Sequence, residues 1–172
     1  MTDERARLLA ELVEEMGRDN PKWFLPKEAW DAIQDNFPLP YIEMAVVRKN
    51  STGLAEILLT YREDKDWKGW HIPGSLMRKG HTLEQNLTNM AKKEIGAEVG
   101  VVFLARGIWD IWLDHPYGWP ISLVAICLGQ NIVETEAMRW HSSVPKKMIS
   151  DNGHHARFIE SVFRQIKEQN LL

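Results

Sequence analysis

The sequence predicts an α/β fold of the α+β type, a mixed β-sheet sandwiched between helices, and three observations carry that expectation. Short apolar, β-branched runs bounded by turn residues occupy the middle of the chain, at 41–47, 54–62, about 101–113 and 121–128. Apolar residues recur at helical spacing between the second and third of these runs, and again near the end. The order strand, strand, helix, strands, helix is that of one sheet with helices packed on it.

Taken in order, residues Thr2 to Met16 place Leu8, Leu9, Leu12, Val13 and Met16 on one helical face, with Thr2 as N-cap and Gly17 as stop. A second short helix starts at Pro26, a favourable first-turn residue, and runs through Trp30 and Ile33 until Phe37-Pro38-Leu39-Pro40 breaks it. Residues 1–38 therefore read as an N-terminal helical extension and 39–172 as the main domain, one globular unit overall. The amphipathic first helix is suited to cover the core or to pair with a second subunit, which makes a homodimer an expectation.

From Tyr41 the texture becomes that of strands. "YIEMAVV" and "LAEILLTYR" are joined by "RKNSTG", which holds the Asn, Ser and Gly of a hairpin loop. Gly69 to Pro73 leads into a loop. Thr82 then caps a helix carrying Leu83, Leu87, Met90, Ala91 and Ile95, with Gln85 completing a capping box. A stop at Gly96 is the preferred end, because a glycine inside a helix costs about 1 kcal/mol relative to alanine while one just past the end is helpful. The alternative carries the helix towards Gly100. Strands at about Val101 to Leu113 and Ile121 to Leu128 turn through "DHPYGWP", and a last helix from His154 to Gln169 buries Phe158, Ile159, Val162, Phe163 and Ile166.

Composition narrows the function. With 21 basic and 24 acidic residues spread along the chain and a net charge of −3, no basic stripe advertises nucleic acid, so any phosphate must be held locally. The single cysteine, Cys127, lies in the apolar run "ISLVAICLG", which excludes an internal disulfide framework and a multi-cysteine zinc site. No apolar run approaches the roughly 20 residues of a membrane span, and no charged-then-apolar leader opens the chain. The expectation is a cytoplasmic protein without membrane partners.

The chemistry concentrates between Gly69 and Val101. Gly74 follows Ile72-Pro73 and lets its backbone approach a ligand that a side chain would exclude. Glu94 and Glu98 are four residues apart and would share a face if the helix passed Gly96, an arrangement suited to a hard cation such as Mg²⁺. The same spacing, with Lys92 and Lys93 beside it, also describes a solvated helix face.

This stretch resembles the Nudix box, the loop-helix signature of Mg²⁺-dependent hydrolases acting on nucleoside diphosphates linked to another moiety. Aligned from Pro73-Gly74, Ser75 stands for the opening Gly, His81 for the first Glu, Asn89 and Met90 for Arg-Glu, and Lys93 for the first paired Glu, leaving Glu94 and Gly96. In the longer register Glu98 supplies one of the paired glutamates. From about Phe24 onward the chain is similar to the GDP-mannose mannosyl hydrolases, a branch lacking the full set of box glutamates. The echoes are "FLPKEAW", "PLPYIEMAVV", "LLTYRE", "GWHIPGS", "HTLEQNL", "KEIG", "GIWDIW" and "RWHSS…SDNGHH".

That resemblance implies a nucleotide-sugar substrate. In that branch water attacks the anomeric carbon, releasing GDP and sugar, with one Mg²⁺ (Mn²⁺ in its place) neutralising the leaving diphosphate. Carried over, the metal ligands are the Gly74 carbonyl, Glu94 (with Glu98 in the longer register) and Glu134 or Glu136 from the loop "VETEAMRW". Arg62 and Arg78 become diphosphate clamps. Trp67 and Trp119, both in predicted loops, are the tryptophans placed to stack on the base. The branch's general base is a histidine where this chain has Thr135 or its neighbours, and a threonine does not take up a proton near neutral pH. Glu134, Glu136, His81 or His154 is left for that role, although His154 and His155 also simply begin the last helix. The rival expectations are a nucleotide-binding or regulatory module that has lost hydrolysis, and a hydrolase attacking phosphorus.

Overall fold

Residues 42–47 explain the centre of the sheet: Ile42, Glu43, Met44, Ala45, Val46 and Val47 are all buried, and such an unbroken run belongs to a strand covered on both faces. They lie in β1 (Pro38–Lys49) of the computed structural model. It describes residues 2–18, 26–78, 80–112, 115, 118–129, 131–149 and 153–172, apart from the side chains of 16–18, 101–104, 106 and 107. Strand β1 runs parallel to β6 (Trp119–Leu128), from Pro38 opposite Trp119 to Val47 opposite Leu128. The other neighbours are antiparallel. β2 (Ala55–Glu63) pairs with β1, β3 (Lys68–His71) with β2, and β5 (Gly100–Ile111) with β6, giving the order β3-β2-β1-β6-β5. The short β4 (Gly74–Leu76) pairs with β1, and β7 (Met138–His141) with β2.

Alternation along β1 divides the core. Ile42, Met44 and Val46 pack with Leu58, Trp140 and the helix residues Leu87, Met90, Ala91 and Ile95. Ala45 and Val47 face the other way, with Ile57, Leu59, Ile72 and the α4 (His154–Gln169) residues Phe158, Ile159, Val162 and Ile166. Fully buried side chains such as Ile57, Leu58 and Ile159 each contribute about 1.5–3 kcal/mol of transfer free energy. The expected sheet between helices is present, and α4 has the bounds that its apolar spacing predicts.

Helix α3 (Leu83–Met90) begins with the expected capping box: the Thr82 hydroxyl accepts from the Gln85 N–H at 3.2 Å, and the Gln85 side chain accepts from the Thr82 N–H at 2.8 Å. It continues as a π turn, Ala91–Ile95, and stops at Gly96, whose φ of 70° is left-handed and whose N–H donates to Ala91 O at 3.0 Å. The stop at Gly96 is thus the one observed.

Two details differ from the sequence reading, the start of β6 and the end of the first helix. β3 takes residues Lys68–His71, from which the chain leads through Ile72 and Pro73 into β4. Strand β6 begins at Trp119 and not at Ile121, so the parallel pairing with Pro38 and Leu39 draws Trp119 and Pro120 out of the predicted turn. Met1–Phe37 forms a unit separate from Pro38–Leu172. In it, α1 (Asp3–Arg18) runs through Gly17, and α2 (Lys27–Asn36) follows Pro26 and ends where Phe37 turns extended. Among the described residues no helix is long and apolar enough to cross a membrane.

Candidate functional site

The site is built where β1 meets β4. Glu43 stands opposite Gly74 in the antiparallel register and shares the parity of Ala45 and Val47, on the face covered by α4. It is only 4% exposed. Its Oε1 accepts from the Ser122 hydroxyl of β6 at 3.1 Å, while the buried Oε2 has no partner among the described residues. Burial pushes this carboxyl up to about 7, and the Ser122 hydrogen bond opposes that shift only in part. Gly74 makes room for it: a Cβ there would overlap Oε2 and lie 2.7 Å from Cδ. Glu43 and Gly74 open onto a cleft whose walls include Arg62, Trp67, His71 and His155.

Local sequence positions the walls. At the end of β2, Asp64 accepts the backbone N–H groups of Asp66 and Trp67 at 3.0 and 2.9 Å, closing a turn that delivers Trp67 to the cleft. The same carboxylate pairs with Arg62, and these contacts hold Asp64 below its usual range. Arg62 lines the cleft, and burial, with the Arg62 charge adding to it, holds His71 and His115 below their ordinary range. Trp67 packs against Trp112 at 5.2 Å and His115 at 5.6 Å between ring centroids.

Beneath lies a set of histidines drawn from positions far apart in the chain. His154 stacks on Trp112 at 4.7 Å and 18°, and His155 meets His71 edge-on at 6.0 Å. Burial lowers all four, His115 and His154 to about 4 and His155 well below its ordinary value, so the cluster is neutral near pH 7. His154 and His155 do begin α4, but they are 1% and 3% exposed and form part of the core under the cleft.

Of the residues singled out from sequence, Arg62, Trp67 and Gly74 line this cleft. The others lie elsewhere. Glu94 sits on the π turn with its side chain 34% exposed, 3.0 Å from Lys93, and its charge opposes only in part the lowering of His71 by burial. Glu98 lies beyond the helix stop, 87% exposed and 3.9 Å from Lys92, so the four-residue spacing puts the two acids on no common helical face. Glu134 accepts the Trp140 N–H at 2.8 Å and braces β7, while Glu136 is exposed in the turn where Thr135 bridges Met138. His81 is exposed ahead of α3, its ring 3.5 Å from the Asn89 amide, and Arg78 is exposed with its N–H donated to Asn86 Oδ1 at 3.0 Å. Trp119, 52% exposed, is a strand residue and not a loop residue as expected. Lys79, beside Arg78, is outside the described residues.

Among the described residues no three His, Cys, Asp or Glu side chains are grouped to hold a metal. Glu94 lies on the π turn within electrostatic reach of His71, and one or two protein donors suit a Mg²⁺ ion that takes its remaining ligands from water and a substrate diphosphate. Glu43 is the residue that sequence reasoning missed. Its signal was available, because a lone carboxylate inside "YIEMAVV", a run too apolar to be half-solvated, is the kind of buried polar group that carries information.

The comparisons with known proteins agree with this architecture. No family model matches the sequence. The low-salt glycan biosynthesis protein Agl8 of Haloferax volcanii is 30% identical over 84 residues, which are 48% of this chain and 51% of that protein. The match thus spans about half the length of this curated relative. Among solved structures, a MutT/nudix family protein from Enterococcus faecalis superposes with a TM-score of 0.62 at 14% identity, over 93% of this chain and 70% of that one. The NUDIX domain of Shewanella oneidensis NrtR, complexed with ADP ribose, gives 0.56 at 14% identity over 96% and 99%. At such identities the likeness is one of fold. The chain has the α+β fold of the Nudix hydrolases.

Proposed function

We propose that the cleft hydrolyses a nucleoside diphosphate linked to a sugar, GDP-mannose-like, releasing the nucleoside diphosphate and the free sugar. The observation that carries this reading is the meeting of Arg62, Gly74 and the buried Glu43, whose Oε2 has no partner among the described residues, in one cleft. Two likenesses support it: the NrtR domain of the same fold was solved with ADP ribose, itself a diphosphate joined to a sugar, and the curated relative is described as a glycan biosynthesis protein.

In this reading Arg62 holds the diphosphate through its guanidinium N–H groups. The Gly74 carbonyl, with Glu94 from the π turn, would hold a divalent ion, Mg²⁺ or Mn²⁺, which would supply positive charge to offset that of the departing diphosphate. Glu43, half ionised near neutral pH, takes the proton of the attacking water as its oxygen bonds to the anomeric carbon, and the electron pair of the broken carbon–oxygen bond leaves with the diphosphate. The carboxyl thus fills the role for which Glu134, Glu136, His81 and His154 are candidates from sequence. Trp67 forms the wall against which the substrate's rings lie.

A panel of sugar nucleotides incubated with Mg²⁺ tests this, with nucleoside diphosphate and free sugar both quantified. Arg62→Ala is expected to raise KM about tenfold to a hundredfold. No turnover of any panel member would sink the reading. The absence of a three-acid metal group among the described residues favours a second one, a module that binds nucleotides without cleaving them. It predicts thermal stabilisation by the same ligands without product.

A further inference from the structure

The turn that carries Gly74 into the cleft is held by two imidazoles in opposite states. The Ile72 carbonyl lies 2.9 Å from His71 Nδ1, and because a carbonyl only accepts, that nitrogen carries the proton. In a neutral ring Nε2 is then the acceptor, and the Thr60 hydroxyl, 3.0 Å away, donates to it. The Ile72 N–H donates to His155 Nδ1 at 3.3 Å, so in His155 the proton is on Nε2. Next along the chain, Pro73 has no N–H, and its carbonyl accepts from Met44 N–H at 2.7 Å. Every backbone donor and acceptor of Ile72 and Pro73 is therefore engaged, and two of the three bonds come from histidines on different elements, β3 and α4.

We propose that His71 and His155 are positioning residues for the cleft: a pair of neutral imidazoles of opposite tautomer that clamps both ends of the Ile72 peptide and so fixes the direction in which Gly74 enters the site. The inference rests on the function proposed above for that site. His155 packs edge-on against Trp112 and is 3% exposed, and in each ring the tautomer is set by the hydrogen bond its Nδ1 makes to the Ile72 backbone. The requirement is for an acceptor at His155 Nδ1 and a donor at His71 Nδ1. Asparagine offers either at nearly the same place.

Imidazole nitrogen NMR on isotope-labelled histidine in the wild-type protein near neutral pH reads the tautomers directly. The result expected is Nδ1–H for His71 and Nε2–H for His155, and the same tautomer in both would overturn the proposal. Amide exchange then follows Ile72. His155→Leu is expected to speed its exchange about tenfold, the equivalent of one lost hydrogen bond, and His155→Asn to restore protection. In turnover, His155→Leu should lower kcat with KM little changed and His155→Asn should recover it. Equal Ile72 protection in wild type and His155→Leu, or an Asn variant no better than Leu, would overturn it as well. A wild-type protein without turnover would refute the functional reading alone, leaving the tautomer and exchange results to decide this one.

Discussion

Gly74→Ala isolates the contact on which the site is built. Gly74 does not have a positive φ, so alanine adds no backbone strain, and the cost comes from a Cβ placed against the Glu43 carboxyl. That carboxyl is 4% exposed and held by Ser122 at 3.1 Å, so it can yield only by giving up the hydrogen bond or by pushing its neighbours. A hydrogen bond to a charged group contributes about 1.5–3 kcal/mol and overpacking costs about 1–3 kcal/mol, so Gly74→Ala should destabilise the protein by about 2–4 kcal/mol. In a Glu43→Ala background the obstacle is gone, and the same substitution should cost less than about 0.5 kcal/mol. Urea unfolding of the four proteins, followed by tryptophan fluorescence, gives a coupling energy of about 2 kcal/mol or more on this account. An equal cost in both backgrounds would refute the packing of Glu43 over Gly74.

Other outcomes follow from the same structure. Glu43, raised from 4.5 to about 7, keeps its proton in the folded state through a range in which the unfolded chain has lost it, so the stability it contributes is full below 4.5 and is lost as pH rises through about 7. In metal-free buffer the stability difference between wild type and Glu43→Gln should fall by up to about 3 kcal/mol across that window, and a flat difference in urea midpoints would contradict it. Gly96→Ala meets open space but must adopt a φ of 70°, so thermal unfolding should show a loss of about 1 kcal/mol and no change in turnover. Cys127, buried with its thiol pushed up to about 12, should react with a thiol reagent only after denaturant is added.

The long elements were legible because their chemistry repeats. Phe158, Ile159, Val162 and Ile166 recur at helical spacing and mark α4, Thr82 and Gln85 announce the start of α3, and Gly96 its end. β3, β4 and β7 span three or four residues, too few for any period to show, and exist through their pairing with β1 and β2. Arg62 and Gly74 could be singled out through the resemblance of the surrounding motifs and Trp67 through its place in a predicted loop, and all three line the cleft. The histidine cluster could not be singled out, because His71, His115, His154 and His155 come together only when β3, Trp112 with His115, and α4 meet, and local sequence carries no record of that meeting. Glu43 falls between the two: its place in an apolar strand was readable, but the Gly74 backbone that leaves room for it was not.

Turnover in isotopically labelled oxygen water tests the central claim most directly. Sugar nucleotides are incubated with the protein and Mg²⁺, and the products are separated and weighed by mass spectrometry. Attack at the anomeric carbon places the label in the released sugar, with loss of the reaction in Glu43→Gln. Label in a phosphate, or wild-type rates in Glu43→Gln, would contradict the account.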